Sequence, residues 1–302
     1  MTGRMLAFGL ALGVVSGSLY AGETKSMSGG LTAAEITSRN AAARGGASAW
    51  QGVKSLMESG KLTAGGDSRS SAPVTQVPGA KHPVNLAAMP ASKRLKEEAQ
   101  LPFVLKMERP RKSRFEIEFK GTTGVQVYNG SQGWKQRPYL NRSDVEPYTA
   151  EELKIASLQP DLDGALMGCV APACRVDLEG QEKVEGRNTY KLKLSASNRA
   201  DTHVWVDAET FLEAKIEGQP RRLDGKQHPV EIYLRDYRDV NGLKFPFLME
   251  THVLPVASEG GAKRAAMTYS PEKIFVEKIV VNPKLNDSEF EKPAVKTAAI
   301  RP

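Results

Sequence analysis

The sequence predicts a mainly β, α+β fold: one curved antiparallel sheet, an incomplete β-barrel, with helices covering its apolar concave face. Three observations predict it. Apolar and polar residues alternate with period two over much of the stretch from Leu101 to Val281, as in strands with one dry and one wet face. Short turns join most of these strands, whereas parallel pairing needs helical crossovers that are missing over most of the chain. Only two segments read as helices, each opening on a capping box, against roughly ten strands.

Taken in order, Met1–Arg4 is a short positive region and Met5–Val15 an apolar run of signal-peptide length. Small residues follow up to Ala21. Residues 1–21 are therefore expected to be a secretory signal, cut near Ala21 or after Ser18, with an uncleaved anchor as the alternative. No cysteine follows the run, so the chain is not expected to be a lipoprotein itself, and the expected location is periplasmic. Thr32-Ala33-Ala34-Glu35 caps a first helix that stops at Gly45-Gly46, and Val53–Leu62 reads as the first strand. Residues 63–90, rich in Gly, Ser, Ala and Pro, read as a disordered surface insertion, and Lys93–Ala99 as a helical turn.

Phe103, Leu105 and Met107 then share one strand face, and Phe115, Ile117 and Phe119 alternate with charged residues on the next strand. Val125 and Val127 continue the pattern to the turn Asn129-Gly130, and Trp134 lies on the return strand. Thr149-Ala150-Glu151-Glu152 caps a second helix, which Pro160 ends. Further strands centre on Tyr190–Leu194, Val204–Val206, Leu212–Ile216, Val230–Leu234, Phe245–Met249 and Ile274–Val281. The strand at Leu234 is expected to end at Asp236-Tyr237-Arg238. Roughly ten strands and a pair of helices make one domain over 22–293, and 294–302 is expected to be a disordered tail.

The 302 residues carry 42 Lys+Arg against 35 Asp+Glu, 40% apolar residues and a mean hydropathy of −0.39. That excludes a polytopic membrane protein and a wholly disordered chain. Cys169 and Cys174, the only two cysteines, are expected to close a small disulfide loop in an oxidising compartment. A metal site is the competing view, but it needs further ligands and no His or other Cys lies nearby.

Enzyme templates fail: His-Glu-x-x-His, Gly-x-Ser-x-Gly and Gly-x-x-x-x-Gly-Lys are all missing, and His82, His203, His228 and His252 are scattered. No catalysis, metal or cofactor is expected. The basic run Arg109-Pro110-Arg111-Lys112-Ser113-Arg114 lacks interleaved aromatics, so nucleic acid is not an expected partner. It reads as a solvated hairpin loop or as a docking patch for an anionic membrane surface. Phe103, Phe115, Phe119 and Trp134 could equally be ordinary core beneath the helices.

The order of several landmarks resembles the LolA/LolB-like superfamily, in particular outer-membrane lipoprotein-sorting proteins. These are Arg44-Gly45-Gly46 with Trp50 and Val53–Gly60, Val127-Tyr128-Asn129-Gly130 with Gly133-Trp134, and Val206-Asp207 with Glu209-Thr210. Asp236-Tyr237-Arg238 with Asn241-Gly242 and Phe245-Pro246 follows, then Asn282, Leu285, Phe290 and Pro293. The resemblance implies a half-barrel with a helical lid around a cavity for acyl chains. It implies a non-enzymatic carrier of a lipid or acylated lipoprotein, with an inner-membrane donor and an outer-membrane acceptor as partners. The alternative is a lipid-sensing module of RseB-like type. Phe103, Leu105, Met107, Phe115, Ile117 and Phe119 are the expected ligand-binding residues, with Trp134 at the rim. The resemblance transfers no role to the cysteine pair.

Overall fold

The computed structural model describes residues 30–64, 99–138, 142–223, 225–256 and 270–294. The expected signal segment, most of the expected insertion, His82 and the terminal tail beyond residue 294 lie outside the described residues, as does Lys93–Ala99 except for Ala99, which opens a strand.

Helix α1, Ala33–Ala43, begins at Thr32, whose hydroxyl accepts from the Glu35 amide while the Glu35 carboxylate accepts from the Thr32 amide. Two otherwise orphaned donors are thereby satisfied, as the sequence predicts. It ends where Gly45 takes a φ of +108° and presses against the Gly242 carbonyl, 2.3 Å from where a Cβ would stand. No other residue fits there. A five-residue helix α2, Ala47–Gln51, carries Trp50 inward and leads to strand β1, Ser55–Ala64.

Five strands then meander: β2 Ala99–Glu108, β3 Lys112–Phe119, β4 Thr122–Tyr128, β5 Gly133–Arg137 and β6 Arg142–Pro147. Helix α3, Ala150–Leu158, opens on the second capping box, Thr149 with Glu152, and the short α4, Gly164–Met167, follows it. Seven more strands complete a second meander: β7 Cys174–Val184, β8 Arg187–Ala196, β9 Thr202–Asp207, β10 Glu213–Leu223, β11 Lys226–Val240, β12 Leu243–Val253 and β13 Glu272–Val281.

All thirteen strands form one antiparallel sheet, in the order β6-β5-β4-β3-β2-β1-β13-β12-β11-β10-β9-β8-β7. The first strand pairs with the last, joining the two meanders, and β6 and β7 are left as edges. The sheet is not closed into a barrel. Gly60 permits that central seam: at a bulge opposite β13, a Cβ would come within 1.9 Å of the Phe275 carbonyl oxygen. Asn282 fixes the end of β13 to the start of β1 by accepting from the Lys54 amide at 2.7 Å and the Ser55 amide at 3.3 Å.

Two clusters fill most of the concave side. Over one half, Ile36 of α1 and Leu166 of α4 pack on Leu192, Leu194, Val204 and Val206. Over the centre, Trp50 packs with Leu56, Phe103, Phe245, Phe247 and Val276, its ring 4.9 Å from that of Phe245. The expected disulfide between Cys169 and Cys174 is present and ties the end of α4 to the edge strand β7. Closing so short a loop is worth about 2 kcal/mol by chain entropy. The C169S/C174S variant should lose about that much in urea unfolding, and no loss would show that packing alone holds α4.

Three expectations need correction. β6 and β7 do not stand out in the periodicity, because each is an edge strand rich in charged or polar residues. β11 does not end at Asp236: that residue takes a φ of +53°, but the pairing with β12 resumes at Tyr237 in the same register, and the strand runs on to Val240. The convex face is not simply wet either. Val125 and Val127 pack there with Trp134, Leu285 and Phe290, which a one-turn 3-10 helix, Asp287–Phe290, lays across them.

A candidate ligand cavity beneath helix α3

Where α3 crosses the first meander, the concave side is not filled. α3 buries none of its residues, and Ile155, 40% exposed, faces open space with Ala156. Beneath it lies a cavity of about 570 Å³, within the range of small-molecule sites. Leu56, Leu105, Met107 and Tyr128 form its floor, Trp50 and Phe245 its inner wall, and α3 with the Gln159–Leu162 loop its roof.

α3 is held over this space by polar ties. Glu152 pairs with Lys135 of β5, and Arg111 donates to the Ser157 carbonyl at 3.2 Å. Glu152 is fully satisfied: burial pushes its carboxyl up, but the Lys135 ammonium and the Thr149 amide more than offset this and hold it low. Arg109 anchors the roof loop by pairing with Asp161 at 3.2 Å and with Asp163.

The inner wall carries an ion pair. Arg44 lies 4.3 Å over the Trp50 ring, donates to the Asp163 carbonyl at 2.7 Å and meets Glu213 at 3.3 Å. Trp50 Nε1 donates back to the Arg44 carbonyl at 2.9 Å. Arg44, Gly45, Trp50, Gly242 and Phe245, far apart in sequence and each a weak signal, thus converge on one corner of the cavity.

The expected binding residues divide. Leu105 and Met107 line the cavity. Phe103 is buried in the central core, with Phe115 stacked on it at 5.9 Å. Ile117 and Phe119 lie further along β3, outside the cavity lining. Trp134 is not at the rim: it pairs with Val127 on the opposite face. Sequence reasoning missed Leu56, Tyr128 and Ile155, and also Glu58, which points into the cavity from β1. Its signal was available, since Glu58 falls in the same alternation phase as Leu56 and Leu62, a charge where the pattern asks for an apolar group.

The basic run is not a free positive patch. Lys112 sits between Glu108 at 2.8 Å and Asp287 at 2.7 Å, and Arg114 pairs with Glu116 at 2.6 Å. With Arg109 and Arg111 engaged by the roof, its cations are spent within the chain. His203 is a residue of strand β9, its ring 2.8 Å from Glu217 and 3.2 Å from Glu179.

No family model matches this chain, and no curated protein matches it in sequence. Three solved structures are similar in chain path. One is a domain from Vibrio parahaemolyticus described as outer membrane lipoprotein-sorting, at 13% identity, covering 85% of this chain and 95% of that one with a TM-score of 0.47. Another is a LolA superfamily protein from Nitrosomonas europaea, at 13% identity, covering 87% and 99% with a TM-score of 0.48. The third, a DUF1329 family protein from Desulfovibrio piger, is 12% identical and covers 88% and 100% with a TM-score of 0.49. Similarity this distant carries no functional argument, and the function has to be read from the cavity.

Proposed function

We propose that the protein is a non-enzymatic periplasmic carrier, which shelters the acyl chains of a lipid or lipoprotein beneath α3 and delivers them toward the outer membrane. One observation carries the reading: the floor of Leu56, Leu105 and Met107 faces a roof whose own apolar residues, Ile155 and Ala156, do not reach down to fill the space. Hydrocarbon placed there leaves water, at roughly 0.8 kcal/mol per methylene, without needing directional contacts. α3 rests on polar ties and not on a buried face, so it can lift without exposing core. The disulfide is compatible with an oxidising compartment.

Protein purified from native envelope and extracted with organic solvent should yield lipid by mass spectrometry, and a fluorescent fatty-acid probe should bind. Recovery of no lipid together with no probe binding would remove the reading. A stable, stoichiometric membrane-bound partner in envelope pull-downs would instead favour a sensing module. Filling the floor with Leu105→Trp should displace about two methylenes of ligand and weaken the probe roughly fifteenfold. An unchanged melting curve would show that the added ring occupied vacant volume.

A further inference from the structure

Glu58 is at odds with the site around it. Its β1 neighbours on the same face are Leu56 and Gly60, and across the strands it faces Leu105 and Ile279. Half-buried among protein atoms, it lines the cavity, and among the described residues its carboxyl group has no hydrogen bond or ion pair. A leucine there would serve folding better, because an unpaired buried carboxyl costs stability. A residue that breaks the local rule at a cavity wall points to a ligand.

The other charged groups lining the same cavity are engaged elsewhere. From α1, Arg44 is committed to Glu213 and the Asp163 carbonyl. From the β2–β3 hairpin, Lys112 is held by two carboxylates and Arg111 by the Ser157 carbonyl. From the roof, Glu152 pairs with Lys135, and Asp161 with Arg109. Tyr128 donates to the Gly130 carbonyl at 2.8 Å, and burial pushes the Tyr148 phenol up to about 12. With no countercharge facing it, a carboxyl in this setting keeps its proton into the neutral range, at about 7, through desolvation alone. The neutral acid then holds one O–H donor with nothing in the protein to receive it.

Resting on the carrier reading above, we infer that Glu58 is the polar recognition group of the cavity, donating a hydrogen bond to the carbonyl oxygen of an ester- or amide-linked acyl chain. The ligand class is thus an acylated amphiphile with its linkage drawn inside, as opposed to a bare hydrocarbon or a soap. A soap would set a second carboxylate against Glu58. A primary amine would instead pair with an ionised Glu58, and it is the competing ligand that the test includes.

The test displaces a fluorescent polyene hydrocarbon from the full exported chain with competitors of matched length: an alkane, a methyl ester, an N-methyl amide and a primary amine. At mildly acidic pH the ester and amide should compete roughly five- to tenfold better than the alkane, the effect of one satisfied hydrogen bond. The advantage should fade at mildly alkaline pH, as the donor proton leaves. Glu58→Gln, which keeps an N–H donor at every pH, should retain the advantage without the pH dependence. Glu58→Leu should abolish it while binding the alkane at least as well. Equal competition by alkane and ester, or an amine preference that rises with pH, overturns the role of Glu58 and leaves the carrier intact. Failure of the polyene to bind, and of the alkane to compete, overturns both.

Discussion

Replacing Arg44 with methionine is expected to destabilise the fold by about 3–5 kcal/mol, the cost of stranding one partner of a buried ion pair. Its side chain and that of Glu213 are 8% and 7% exposed, so water cannot take over for either. Methionine keeps much of the bulk over the Trp50 ring but loses the 3.3 Å contact to Glu213 and the 2.7 Å bond to the Asp163 carbonyl. Glu213 is left with Tyr237, whose hydroxyl donates to the Glu213 carbonyl at 3.0 Å and to its carboxylate at 3.3 Å. Burial and that nearby carboxylate hold the Tyr237 phenol well above its ordinary range, so the tyrosine stays a donor but brings no positive charge. Urea unfolding of R44M, E213Q and the double variant separates the causes. If the stranded charge dominates, R44M/E213Q should be more stable than R44M alone. A loss below about 1 kcal/mol in R44M would mean that Glu213 does not depend on the arginine.

Why the fold was more legible than the site follows from what alternation records. Phe103, Leu105 and Met107 declare one face of β2, and the capping boxes at Thr32 and Thr149 declare the starts of α1 and α3, because each is a local rule. β6 and β7 are edges. Their charged residues guard against pairing with another sheet, and the same charges erase the periodicity. The placement of Trp134 turned on a register that alternation within one strand does not contain. The tight turn at Lys120-Gly121 pairs Phe119 with Thr122, which sets Phe115 opposite Gln126 and Glu116 opposite Val125. Val125 and Val127 therefore share the charged face of β3, and they carry Trp134 with them. Lys106 pairs with Glu289 above that face, and Arg114 donates to the Glu289 carbonyl at 3.1 Å, which seats Phe290 over the valines. A face predicted wet is thus covered by a segment more than 150 residues away in the chain. The extent of the cavity was illegible for a related reason: periodicity says which face is apolar, but not how far α3 stands above it.

Glu58 should leave its own mark on stability, independent of any ligand. Desolvation raises its carboxyl from an ordinary 4.5 to about 7 in the folded chain. Below 4.5 both folded and unfolded states hold the proton, and the contribution is fully present. Between 4.5 and about 7 the unfolded chain releases its proton while the folded chain keeps it, so stability falls as pH rises. Above about 7 both states are ionised and the loss levels off, at about 3 kcal/mol for a shift of this size. Other carboxyls work in a different window. Asp207, held low by the Glu209 and Thr210 amides despite its burial, and Glu289, held low by Lys106, add stability as pH rises through the ordinary carboxylate range and are saturated above it. The difference between the native chain and Glu58→Gln from mildly acidic to neutral pH therefore belongs to Glu58. Denaturant unfolding across that interval should show the native chain losing about 3 kcal/mol more than Glu58→Gln, which cannot ionise. Parallel curves would mean that water reaches the carboxyl freely, and with it that the floor of the cavity is wet and not apolar.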